Sequence, residues 1–426
     1  MLEYLPLIPF AGIILSIALG PVLFPRIWHL HYGKFTAVWG IFAMFCMFRT
    51  EGGAFLSHAI GHVAFFEYIP FIAIVFSLYV ISSGLEIHID AQPTPALNTT
   101  ILAVGAILAN FLGTAGASMM LIRPFLKLNK DRQHRVHQVI FFIFCVSNIG
   151  GCLTPLGDPP LFMGFLNGVN FFWTATHLFL PYIFTLGILL IVFFLVDSKY
   201  SEQTDNCFKV KDTRVRTENK INFVFLIGVA SLVLMSGVWK SGICFDFWQI
   251  SLPLQSILRD VGLFLIALLS LYFTPLSKRK GHEFHWEPFI EVAKLFMGIF
   301  ITLVPVVTFV KSHMDAIEPF MTIKTYFWGC GTLSAFLDNA PTYLLFFNLA
   351  GGNASNLMND GAMILMAISL SSVFMGAITY VGNAPNFMVK SIAGNYHIKM
   401  PSFFGYMVWS VGILIPIFYL MKVIFL

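Results

Sequence analysis

Thr154-Pro155-Leu156-Gly157-Asp158-Pro159-Pro160-Leu161-Phe162-Met163 interrupts one apolar stretch of the chain. Thr379-Tyr380-Val381-Gly382-Asn383-Ala384-Pro385-Asn386-Phe387-Met388 interrupts another, 225 positions later, with Thr, Gly, Pro, Phe and Met in register. A second pair of breaks keeps the same offset. Phe111-Leu112-Gly113-Thr114-Ala115 and Phe336-Leu337-Asp338-Asn339-Ala340 share Phe, Leu and Ala. Broken backbone at membrane depth persists only where it is buried in protein or lines a cavity. Four breaks in two matching halves predict a duplicated helical bundle with discontinuous helices, the pattern of a secondary transporter.

Composition agrees with a membrane interior. Of 426 residues, 58% are hydrophobic and 11% charged, whereas a soluble domain carries about a quarter charged residues. The net charge of +4 gives no support to nucleic-acid binding. The six cysteines form no CxxC pair and read as packing residues rather than a disulfide framework or metal knuckle. Met1 to Leu23 has Glu3 and no basic residue ahead of its apolar run, so it reads as a retained first helix.

Apolar runs of about 18–23 residues mark spanning helices. They fall near 5–24, 36–49, 68–85, 139–170 (broken), 178–197, 221–239, 259–276, 288–310, 361–390 (broken) and 403–423. The pieces 98–126 and 322–350 break in the middle, leaving halves too short to span, and are expected to be re-entrant hairpins. The expectation is an all-α polytopic membrane protein with two inverted-topology repeats, about ten spanning helices and two such hairpins. Repeat one is 1–197, with scaffold helices in 1–97 and a hairpin and broken helix in 98–177. A cytoplasmic linker follows at 198–220. Repeat two is 221–426, with its hairpin at 322–350 and broken helix at 361–390. With the N-terminus outside, 19 of the 25 Lys and Arg flank the cytoplasmic side, as the positive-inside rule asks. That orientation brings the two hairpins in from opposite faces.

Ser147-Asn148-Ile149-Gly150-Gly151-Cys152-Leu153-Thr154-Pro155-Leu156-Gly157-Asp158-Pro159-Pro160 and Leu337-Asp338-Asn339-Ala340-Pro341-Thr342 resemble the ion transporter superfamily. Within it they are similar to the sodium:proton antiporters often grouped with citrate transporters and arsenite pumps. The resemblance covers nearly the whole chain. It implies a protein of the bacterial inner membrane, often a homodimer, with a transport domain that moves against a scaffold. Organic-anion members carry Ser-Asn-Thr at both hairpin tips. Here the tips read Gly113-Thr114-Ala115 and Asp338-Asn339-Ala340, a departure that favours a cation or proton over a carboxylate.

The residues of the breaks suit that cargo. Freed carbonyls offer oxygen ligands to Na⁺, and Thr114, Ser118, Thr154, Asn339, Thr342, Thr379 and Asn383 add side-chain oxygens. Gly157 and Gly382 allow close backbone approach. Asn148 and Ser147 precede the first break directly, and Ser147 has its repeat partner in Ser372. A charge at the bilayer centre costs at least about 2.5–3.5 kcal/mol, which makes Asp158 and Asp338 functional candidates. Each also reads as a helix N-cap, and the two roles are compatible. Burial favours the protonated carboxyl, whereas half-helix N-termini favour the charged one. One such aspartate then holds either H⁺ or Na⁺. Na⁺ at Asp158 and Asp338, exchanged for H⁺ by alternating access, is the expected function. Coupled uptake of citrate or another carboxylate is the alternative, kept open by Asn339, Asn383 and Asn386. The expected partners are a small inorganic cation, a proton, membrane lipid and a second copy of the chain; no cofactor is expected.

Other polar residues give weaker signals. Arg123 reads as an anion contact or as a side chain snorkelling to the interface. His58 and His62, near Glu51 and Glu67, have metal-like spacing but sit in an interfacial amphipathic piece without a third ligand. Glu86 and His88 read as a solvated helix end or a proton path. His134 and His137 fall in a basic loop. No GxSxG, HExxH or Walker pattern occurs and no His lies in the breaks, so no enzyme chemistry is expected.

Overall fold

The structure is a computed structural model that describes residues 2–201, 214–247, 250–277, 279 and 285–426. The first half contains α1 (Ile8–Leu23), α2 (Pro25–Glu51), α3 (Gly53–His62), α4 (Ile69–Ser83), α5 (Pro95–Leu128), α6 (Val136–Cys145), α7 (Pro159–Leu166) and α8 (Trp173–Ser201). The second contains α9 (Ile221–Val238), α10 (Leu254–Phe273), α11 (Glu287–Ser312), the short α12 (Met314–Ile317), α13 (Ile323–Phe336), α14 (Asn339–Leu349), the short α15 (Ala354–Met358), α16 (Ala362–Met375), α17 (Ala384–Asn395) and α18 (Phe403–Phe425). Eight helical segments among the described residues are long and apolar enough to cross a membrane. Large apolar side chains such as Ile41, Phe45, Leu180, Leu195 and Val408 point outward, the arrangement expected of a bundle solvated by lipid. The chain is an all-α, multi-pass membrane protein.

α5 is not one rod. Gly113 sits at φ 74°, ψ 154° in its middle, a conformation open to glycine and strained for other residues. Asn98 and Asn129 are 31 residues apart, about 46 Å along a straight helix. Their side-chain amides nevertheless exchange two hydrogen bonds of 2.9 Å. The chain therefore folds back at Gly113, and the two arms lie side by side. α13 and α14 do the same. The Tyr326 hydroxyl, near the start of one arm, donates to the Leu349 carbonyl at the end of the other, at 3.1 Å.

The two longer breaks unwind where the sequence places Gly and Pro. α6 ends at Cys145, a short turn covers Ile149–Gly151, and α7 starts at Pro159. α16 ends at Met375, a turn covers Gly376–Ile378, and α17 starts at Ala384. Proline in the first turn costs little because those N–H groups have no helical partner. Local geometry repeats at the 225 offset. The Thr154 hydroxyl donates to the Asn110 carbonyl and the Thr379 hydroxyl to the Ala335 carbonyl, both at 2.5 Å. Asp158 (φ −146°, ψ 143°) and Asn383 (φ −151°, ψ 137°) share one backbone conformation.

The halves interlock. α7 packs on α14, and α17 packs on α5 and α6. α4 lies against α10, α2 against α11, and the Tyr68 hydroxyl donates to the Ala293 carbonyl at 3.0 Å.

Several sequence expectations are corrected. The helix expected at 36–49 runs from Pro25 to Glu51, because the polar residues ahead of it are helix-compatible. His58 and His62 do not sit on a separate interfacial piece: they belong to a helical run that continues through a π-turn (Val63–Tyr68) into α4. Glu86 and His88 are not at a helix end. They lie on a strand, β1 (Glu86–Asp90), paired antiparallel with β2 (Arg214–Glu218) from the segment read as the linker between the repeats. A second ribbon pairs β3 (Cys244–Phe247) with β4 (Ile250–Pro253). Residues 202–213 of that linker lie outside the described ones. His137 is not in a solvated loop. It is buried on α6, where Nε2 lies 2.8 Å from Asp197 Oδ1, whereas His134 stays exposed.

Candidate functional site

Asp158 precedes α7 as its N-cap, yet its side chain makes no capping bond. The carboxylate turns instead toward the other three breaks. The Thr114 hydroxyl, at the tip of the folded-back α5, donates to Oδ1 at 2.7 Å. The Asn383 amide, from the break before α17, donates to the same oxygen at 3.3 Å. The Asn339 amide, at the start of α14, donates to Oδ2. Four interruptions from two halves thus meet on one carboxylate, which is only 1% exposed. Three donors satisfy part of its hydrogen-bonding capacity, which a buried charge requires.

Asp338 behaves differently. It is half-buried, and its carboxylate accepts from the Ala340 N–H at 3.4 Å, capping α14. It nevertheless lines the same cavity as Asp158, a space of about 130 Å³. Thr114, Asn383, Leu78, Phe162 and Phe296 share the wall, and among the described residues no Lys, Arg or His lines it. The helix starts at Pro159, Asn339 and Ala384 converge here, so the positive ends of three helices face this region.

The remaining predicted residues form a supporting layer. The Asn148 amide donates to Asn386 Oδ1 at 2.7 Å, and Asn148 Oδ1 accepts from Asn383 at 3.2 Å. Asn383 also donates to the Ser147 carbonyl at 3.2 Å, and the Ser147 and Ser118 hydroxyls lie 2.7 Å apart. Asn148 is therefore two hydrogen bonds from Asp158, through Asn383, and Ser118 three, through Ser147 and Asn383. Thr154 and Thr379 are not at the carboxylate; each ties its break to a neighbouring arm. Thr342 donates to the Asp338 carbonyl at 3.2 Å, within its own helix. The Gly157 carbonyl accepts from the Thr114 N–H at 2.8 Å. A Cβ at Gly157 would lie 2.2 Å from the Gly151 carbonyl oxygen, and one at Gly382 2.6 Å from that of Gly376, so both crossings require glycine.

Asn110 escaped the sequence reading. Its Oδ1 accepts from the Leu153 N–H at 2.8 Å, holding the break against α5. The signal was a single amide inside the apolar run 101–112. One buried polar atom is left over at the centre. Among the described residues Asn339 Oδ1 has no hydrogen-bond partner, although Asn339 is fully buried.

A comparison with curated proteins found no match. A family profile whose description reads "Putative citrate transport" matches residues 1–426. With that match running its whole length, this multi-pass membrane protein belongs to the citrate-transport family of ion transporters.

Proposed function

We propose that this protein exchanges Na⁺ (or Li⁺) for H⁺ by alternating access, with Asp158 as the group that holds one or the other. The observation that carries the reading is the meeting of all four breaks on the buried Asp158 carboxylate. An unpaired buried carbonyl oxygen, Asn339 Oδ1, stands beside it, and oxygen ligands are what a hard cation takes. A cavity lined, among the described residues, by two aspartates and no cationic side chain suits a cation better than a free anion. The repeated bonds at the 225 offset and the fold-backs at Gly113 and Asp338 support inverted repeats with re-entrant hairpins. The basic bias of the loops supports an inner-membrane protein with the N-terminus outside. Asp338 and the hydroxyl and amide oxygens around it complete the proposed ion pocket.

A second reading is favoured by the family: coupled transport of citrate or another small carboxylate. Three converging helix N-termini could face its carboxylates, with a cation on Asp158 and Asp338 offsetting their charge. The discriminating experiment pairs two assays on one vesicle preparation. Quenching of a ΔpH dye on addition of NaCl or LiCl reports exchange, and uptake of radiolabelled citrate reports carboxylate transport. Activity in the first assay, lost in Asp158→Asn, supports exchange. Citrate uptake without a cation-dependent ΔpH signal replaces it with the second reading.

A further inference from the structure

The ribbon formed by β1 and β2 presents a group of side chains that the transport site does not use. In its register Glu86 faces Glu218, His88 faces Arg216 and Asp90 faces Arg214. Side chains alternate faces along a strand, so these six share one face. Ile87 and Ile89 turn the other way and pack against the core. The ribbon is thereby fixed, and the spacing of its charged face is set by the pairing rather than by flexible loops.

Two features of that face are unusual for an ordinary ion-pair ladder. Glu86 and Glu218 are directly opposed like charges, a destabilising arrangement without a cation between them. His88 Nε2 lies 3.4 Å from Glu86 Oε1 and 3.7 Å from Glu218 Oε1. Both separations exceed the 2.7–2.9 Å of a charge-assisted hydrogen bond. Zinc bonds nitrogen and carboxylate oxygen at about 2.0–2.2 Å, so the edge of its tetrahedron is about 3.3–3.6 Å. The His88–Glu86 spacing of 3.4 Å falls within that edge, and the His88–Glu218 spacing of 3.7 Å lies just above it.

We propose that Glu86, His88 and Glu218 bind one divalent transition-metal ion of the zinc class. Among the described residues this trio places one ligand atom each within 4.8 Å of the others. Two carboxylates and one imidazole leave a fourth position open to water, because Glu218 is exposed. The ion neutralises the opposed glutamates and clips β1 to β2. That clip ties the segment following α4 to the segment entering α9.

The test uses the full-length protein in detergent, freed of metal by chelation and desalting. Zn²⁺ is titrated against a chromophoric competitor, and Co²⁺ is added separately to read visible absorption bands of four-coordinate geometry. The wild type is expected to take one high-affinity Zn²⁺ per chain and to give those bands. His88→Ala and the exposed Glu218→Gln should weaken Zn²⁺ at least about tenfold and abolish the bands. His58→Ala/His62→Ala should change neither. Equal binding by the wild type and both ribbon variants, or no binding by the wild type, overturns the assignment. Glu218→Gln keeps the question answerable if His88→Ala fails to fold.

Discussion

The Asn339 amide donates to the carboxylate of Asp158, 181 residues away in sequence. One residue begins α14 after the second fold-back; the other precedes α7 after the first long break. The bond therefore joins the two halves at the point where backbone order is lost in both. Thr114 and Asn383 reach the same carboxylate from the remaining breaks. A group held this way reports on the relative position of four elements at once. Any ion or proton that changes its charge changes three contacts, two of them between the halves, which is the kind of differential interaction that can bias two conformations.

Asp158→Asn should reduce ion-coupled flux by more than tenfold in vesicles carrying equal amounts of protein. The amide keeps the shape but cannot carry the exchanged charge. Asp338→Asn should be milder, because that side chain makes a 3.4 Å capping bond in a half-buried position. The ΔpH assay checks both. A silent Asp338→Asn beside a fully active Asp158→Asn would contradict the ranking.

That ranking shows where the sequence stopped being informative. Spacing put Asp158 and Asp338 on the same footing, both acids before a half-helix and both candidate caps. Only one of them caps. Which way a carboxylate turns depends on the neighbours that folding brings, and Asn339 lies too far along the chain for local reasoning to supply it. Positions with a repeat counterpart were legible, because Asp158 and Asn383 had to occupy equivalent breaks. Several apolar spans were legible too, since hydropathy marks them through membrane thickness, but not the start of α2, whose polar first turns carry no such signal. The β1–β2 ribbon was not. Glu86-Ile87-His88-Ile89-Asp90 alternates, but five residues are a weak signal, and its partner is over a hundred residues distant inside a polar stretch.

Thr154→Val and Thr379→Val should each destabilise the protein by about 1–3 kcal/mol, the cost of leaving a buried carbonyl unpaired. The Thr379 change should be the larger. Its hydroxyl also accepts from the N–H groups of Val381 and Gly382, each at 3.1 Å. Thermal unfolding in detergent, followed by tryptophan fluorescence, gives the comparison.

Asp197 anchors a buried network at the base of the α5 arms. It accepts from Arg132 at 2.7 Å, Asn98 at 2.9 Å and Gln138 at 3.0 Å, and it is fully buried while Arg132 is 6% exposed. Removing one partner of a buried pair typically costs about 3–5 kcal/mol. Asp197→Ala should therefore lower the unfolding temperature strongly. Arg132→Met with Asp197→Leu should recover much of the loss, since no buried charge is then left alone. If the double variant were no better than the single, the network would owe its effect to packing alone.

Gly113→Ala separates positioning from stability. At φ 74°, ψ 154° an alanine is strained, because this positive-φ, extended-ψ region is essentially open to glycine alone and costs about 1–3 kcal/mol for residues with a Cβ. The added methyl would also lie 3.3 Å from the Leu156 carbonyl oxygen, a contact that a small shift of the tip relieves. That shift moves the next residue. Thr114 holds the Gly157 carbonyl through its N–H and Asp158 through its hydroxyl, at 2.8 and 2.7 Å. The variant should fold with a modestly lowered unfolding temperature yet lose several-fold more transport than Thr154→Val, which leaves the Asp158 contacts in place. Equal transport by the two variants at matched protein levels would mean that the tip geometry does not control the carboxylate.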